Sequence, residues 1–171
     1  MSKFTMFSGV VLLAMTAVPA SLVAAETAPA VLECNDLDFL IGDWKVTMPG
    51  GVVVGLVKWE AGPSHCYLKE IWTGRNGSPD YLAVMGYSAT ARNWGYFGVS
   101  PNGVRERYDY GLWQGNELRF EQSEPGPIST RFSFFKRPDG TIRELSVSTN
   151  DGGHTWTTNF DVVWNHTENT K

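Results

Sequence analysis

The sequence predicts an all-β protein: about ten antiparallel strands in an up-and-down meander, closed into a barrel and preceded by a short helical turn. Three observations predict it. No stretch beyond the first 25 residues sustains a 3.6-residue apolar period for more than two turns. Short β-rich runs instead alternate with Gly, Pro, Asn and Asp clusters. Nearly all connectors span two to six residues, too few for a parallel crossover.

Composition sets the frame for these runs. The chain has 171 residues, with 7 Trp, 6 Tyr, 9 Phe and 18 Gly, and 42% of its residues are hydrophobic. That apolar content can offset the entropy of ordering and excludes intrinsic disorder. A formal net charge of −4 gives no footprint for nucleic acid or an anionic membrane surface.

Residues 1–25 read as a secretory signal. Lys3 supplies the positive start, Val10–Val18 is an apolar run interrupted only by Thr16 and ended by Pro19, and Val23-Ala24-Ala25 offers short residues for cleavage near Ala25. The run is too short to span a bilayer, so no stable membrane insertion is expected. Cleavage leaves 146 residues (171 less 25), a typical single domain. Residues 26–36 form a tether, 37–165 the barrel and 166–171 a tail. In a periplasmic or secreted chain, two cysteines predict one disulfide, Cys34 to Cys66.

Cys34–Ile41 is the helical turn, with Asn35 or Asp36 as cap and Gly42 as terminator. The strands follow at Asp43–Met48, Val52–Glu60, His65–Thr73, Tyr81–Ser88, Asn93–Ser100, Val104–Leu112, Glu117–Ser123, Thr130–Lys136, Thr141–Thr149 and Thr155–Trp164. An open sheet of ten strands would expose two edges, and no helix is long enough to cover a face. Closure solves both problems. A two-sheet sandwich would need longer Greek-key connections. Thr149–Trp156 matches an Asp-box pattern once, whereas a propeller repeats it, and it reads as a tight hairpin.

Alternation places Cys66, Leu68, Glu70 and Trp72 on one face of the third strand, and the Trp argues for inside. A carboxylate there requires a partner. Arg119, Arg131 and Arg143 are the cations on other strands. Such a pair either plugs a wide barrel or orients a ligand. Trp44, Trp59, Trp72, Tyr87, Trp94, Trp113, Phe132, Phe134, Trp156, Phe160 and Trp164 are the candidate aromatic lining.

Three motifs carry a resemblance: Phe39-Leu40-Ile41-Gly42-Asp43-Trp44, Cys66-Tyr67-Leu68-Lys69-Glu70-Ile71-Trp72-Thr73-Gly74, and Ser148 with Asp151-Gly152-Gly153-His154-Thr155-Trp156 and Phe160-Asp161. In that order the chain resembles an uncharacterised bacterial family of exported, lipocalin-like domains of unknown function, over about Leu37–Trp164. The resemblance implies a calycin-type barrel and no settled activity, substrate or cofactor. Ile142-Arg143-Glu144 and His154 depart from the family's usual residues, and Glu144 shares a strand face with Ile142 and Ser146.

No cofactor is expected. His65, His154 and His166 have no metal-ligand spacing, and a haem reading would rest on His166 alone. A Gly-rich phosphate loop and a nucleophile elbow are both missing. The reading is a binding barrel for a small, partly apolar ligand, with Trp44, Trp59, Glu70, Trp72, Tyr87, Trp94, Arg131, Arg143 and Glu144 as lumen residues. Two alternatives stay open: a calycin-scaffold isomerase, cyclase or lyase using Glu70 with an Arg, and an envelope interaction module with a filled barrel.

Overall fold

The computed structural model describes residues 33–75, 77, 79–123 and 126–167. The expected signal peptide, most of the expected tether and the last four residues lie outside them. Ten strands form one closed antiparallel barrel: β1 (Gly42–Thr47), β2 (Val53–Ala61), β3 (Tyr67–Gly74), β4 (Pro79–Ser88), β5 (Asn93–Val99), β6 (Arg105–Gln114), β7 (Glu117–Gln122), β8 (Ser129–Lys136), β9 (Ile142–Thr149) and β10 (Thr157–His166). Each strand pairs with the next, and β1 pairs with β10 from Trp44↔His166 to Thr47↔Val163. No helix among the described residues is long and apolar enough to cross a membrane.

A single 3₁₀ turn, Asp38–Leu40, precedes β1. Neither Asn35 nor Asp36 caps it: the position before the turn is Leu37, and Asp36 Oδ2 accepts from the Glu33 backbone N–H instead. Gly42 opens β1 at φ +130°, against the His166 ring, rather than ending the turn.

The turn is a plug. Leu37 and Leu40 are fully buried, and the Leu40 carbonyl accepts the Trp44 Nε1–H at 2.7 Å. Phe39 packs on Trp113. The Cys34–Cys66 disulfide ties the plug to the start of β3, and His65 Nδ1 meets Asp38 Oδ1 at 2.7 Å. The disulfide fits an oxidising environment.

Two features shift strand faces away from simple alternation. Tyr110 takes φ +58° in a bulge of β6, so Tyr110 points out while Gly111 and Trp113 turn toward the core. A second irregularity near Asn159 in β10 sets Phe160 opposite Ser146. The last strand also runs on to His166, which stacks on Trp44 at 3.6 Å instead of belonging to the tail.

The half of the barrel nearest the plug is solid. Trp44, Trp59, Trp94, Trp164, Phe120 and Phe134 are the largest buried side chains there. Their rings meet at tilted, edge-on and stacked angles, as at Trp59–Trp164 (6.2 Å) and Phe134–Trp164 (5.3 Å). Phe132 continues this packing toward the opposite end, against Phe120 at 4.6 Å, Tyr108 at 4.6 Å and Tyr96 at 4.8 Å.

Candidate functional site

Beyond Phe132 the barrel opens. The strand ends away from the plug surround a cavity of two adjoining lobes, about 420 Å³ and 310 Å³. Both lobes touch Tyr96, Glu106, Glu144 and Phe160. The larger has a mainly apolar wall, including Val54, Trp72, Tyr81 and Val162, with Glu70 on its floor. The smaller adds Tyr108, Thr130, Phe132, Ser146 and Asn159.

Alternation builds the site. On β3, Leu68 packs in the solid half, while Glu70 and Trp72 follow on the same face at the cavity. On β5, Trp94 is core and Tyr96 is the cavity's next residue. On β9, Ile142 is core, and Glu144 and Ser146 enter the cavity.

Glu70 is only 4% exposed. Its Oε2 accepts the Tyr96 hydroxyl at 2.8 Å. Burial pushes its carboxyl up to about 7; the Tyr96 bond opposes that rise and the Glu106 charge adds to it. Glu144 lies deep but touches solvent through the cavity, and its Oε2 accepts the Trp164 Nε1–H at 3.1 Å. Burial, then the Glu70 charge, hold it well above the usual carboxylate range despite that bond. Glu106 sits nearer the mouth and accepts the Tyr81 hydroxyl at 2.8 Å. Burial also raises the Tyr81, Tyr96 and Tyr108 phenols, so all three stay protonated donors at neutral pH.

The expected Glu–Arg pairing is overturned. Arg143 points outward and forms a two-bond pair with Asp161, both at 2.7 Å. Arg131 points outward to Glu121 at 2.7 Å and lies 4.0 Å over the Trp156 ring. Arg119 pairs with Glu117 at 2.9 Å. The reason is parity: Arg131 neighbours inward Phe132, and Arg143 neighbours inward Glu144, so neither can share its neighbour's face. These cations form an outer polar ladder on β7–β10.

Of the other expected lumen residues, Trp72 reaches the cavity, with Glu70 and Glu144. Trp44, Trp59 and Trp94 are about 99% buried or more in the solid half, and Tyr87 packs on Trp94 at 5.5 Å near the plug. Trp156 lies outside, its Nε1–H donating to the Gly153 carbonyl under the hairpin. Tyr81, Tyr96, Glu106 and Tyr108 were not among the expected site residues. Their signal is present in the sequence: Tyr96 shares the parity of Trp94, and Glu106 that of Tyr108.

The arrangement offers proton exchange at Glu70 near neutral pH, hydroxyl donors, negative charge and aromatic faces. No cluster of His, Cys, Asp or Glu among the described residues could hold a metal ion. His166, on the plug side, is not among the residues lining either lobe. No protein-family model matches the chain, and a search of curated proteins finds no match.

Proposed function

We propose that this chain is an exported binding barrel that holds a small, partly apolar ligand in its open half. One observation carries the reading. A cavity of about 420 Å³ with an aromatic wall faces buried polar groups, in a barrel whose other half is packed solid. That volume lies in the range that accommodates small molecules, from ~300 Å³ upward, which weighs against a filled-barrel module. The signal-like residues 1–25, the disulfide and the resemblance to exported lipocalin-like domains support a periplasmic or secreted location.

Native mass spectrometry of protein purified from its own envelope fraction tests the reading through a co-purifying small molecule. Val162→Trp, which narrows the cavity, should abolish that adduct. An adduct that survives Val162→Trp in folded protein would place the ligand elsewhere.

A second reading is favoured by the proton affinity of Glu70. A carboxyl that titrates at about 7, hydrogen-bonded to Tyr96, suits acid–base chemistry on a bound substrate. In this version Tyr96 takes the place of an Arg. Glu70→Gln would then abolish turnover while affinity and fold persist, whereas a pure binder would lose affinity or stability.

A further inference from the structure

The charges around the cavity do not balance. Glu70, Glu106 and Glu144 line it with Asp80, and no Lys, Arg or His does so among the described residues. Arg119, Arg131 and Arg143 are committed to outer-face acids, and Arg105 and Arg107, which flank Glu106 on β6, take the opposite face of that strand and line an outer-surface pocket instead. Glu70 is 96% buried, and only its Oε2 has a hydrogen-bond donor among the described residues. Glu144 likewise has one donor, for its Oε2. A buried carboxylate with half its acceptor sites empty and no counter-ion is costly unless it is protonated or a cation arrives.

The walls suit a cation as well. Trp72, Tyr81, Tyr96 and Phe160 present aromatic rings to the same space as the acids. Ring faces attract ammonium groups, most strongly where water is excluded. An anionic ligand would meet four acids and no positive group.

We infer that the cavity takes an organic cation: a small protonated amine whose apolar body lies along Trp72 and Phe160 and whose ammonium meets Glu70, Glu106 and Glu144. This rests on the binding reading above and names its ligand class. An ammonium supplies three N–H donors, which matches the unfilled oxygens of Glu70 and Glu144.

Proton linkage distinguishes this ligand from a neutral one. The titratable groups facing Glu70 are Asp80 and Tyr81 from β4, Tyr96 from β5, Glu106 and Tyr108 from β6, and Glu144 from β9. The tyrosines stay neutral near pH 7. A cation favours the ionised carboxyls, so binding expels protons and affinity rises with pH. A neutral ligand has no such demand.

The test is calorimetric titration of the full chain with matched probes: tryptamine, its neutral counterpart tryptophol and the anion indole-3-propionate, with the phenethylamine series alongside. Tryptamine should bind at least tenfold more tightly than tryptophol near pH 8. Its affinity should rise several-fold from about pH 6 to 8, with proton release read from buffers of different ionisation enthalpy. Indole-3-propionate should not bind. Glu70→Gln should cut tryptamine affinity about tenfold and reduce proton release, narrowing the gap between tryptamine and tryptophol. Glu106→Gln, at the exposed mouth, should cost several-fold and keeps the test open if Glu70→Gln does not fold. Alcohols binding as tightly as amines would overturn the cation inference and leave the binding reading standing. Failure of every probe to bind folded protein would overturn the cation inference, and the envelope-purified adduct would then decide the binding reading separately.

Discussion

The Tyr96 hydroxyl donates to Glu70 Oε2 at 2.8 Å, at the level where the solid half of the barrel gives way to the cavity. Tyr96 is also packed edge-on against Phe132 at 4.8 Å. The donor that holds the buried carboxyl is therefore fixed by the aromatic core beneath it, and core and site share a residue.

Stability should fall as pH rises through neutrality. Glu70 titrates near 4.5 when solvated and at about 7 in the fold, so the fold favours its protonated form. Its contribution is complete below about 4.5 and is lost as pH climbs toward 7, roughly 3 kcal/mol in all. Glu144, raised for the same reason, acts in the same direction. The acids held low by partners, such as Glu117 and Asp161, lose their contribution only below this window. Between about pH 5 and 8 the melting temperature should therefore drop less in Glu70→Gln than in the parent. Identical drops would refute the assignment.

Two tryptophans of the solid half should tolerate Phe differently. Trp44 Nε1–H donates to the Leu40 carbonyl, whereas Trp59 Nε1 is buried with no partner among the described residues. Trp44→Phe loses volume and a bond and orphans a carbonyl in the plug; Trp59→Phe loses volume but relieves an unpaired donor. The first should cost about 1–2 kcal/mol more in urea denaturation. Equal costs would mean that Trp59 has a hydrogen-bond partner after all.

Breaking the disulfide should loosen the plug without erasing the barrel. The bond joins residues 32 apart in sequence, and closing such a loop is worth about 3–4 kcal/mol. Cys34→Ser with Cys66→Ser should lower stability by that order, measured by denaturation of the oxidised parent and the double variant. Leu37 and Leu40 keep their apolar seats, so far-ultraviolet circular dichroism should retain its β signature. An unchanged unfolding midpoint would contradict this.

Gly98 makes room for Tyr81, a residue of the cavity wall. A Cβ there would overlap the hydroxyl and Cζ of Tyr81, forcing the ring aside and breaking its bond to Glu106. Gly98→Ala should cost about 1–3 kcal/mol and weaken binding of any cavity ligand. Gly86 has open space around its own Cβ position, so Gly86→Ala is the control and should leave binding intact. Comparable binding losses in both would remove Tyr81 from the site.

Much of this protein follows from local chemistry. Turn residues spaced along the chain limit each strand to pairing with its neighbour, and ten such strands close on themselves. Period-two alternation sends Glu70 and Trp72 to one face of β3, and Ile142, Glu144 and Ser146 to one face of β9. The same rule, applied at Arg131 and Arg143, places them outside beside inward Phe132 and Glu144. The pairing expected for Glu70 fails on that count.

Tertiary structure decided the rest. Alternation separates inside from outside but says nothing about depth along the barrel axis. Trp44, Trp59 and Trp94 share the inward face with Trp72, yet the plug seals their half and only Trp72 reaches the cavity. Depth depends on strand stagger and on where the plug docks, both of which need the closed barrel. The bulge at Tyr110 reverses the face of Trp113, and the extension of β10 carries His166 onto Trp44. Above all, the excess of carboxylates in the cavity emerges only when residues from β3, β6 and β9, far apart in sequence, are brought around one space.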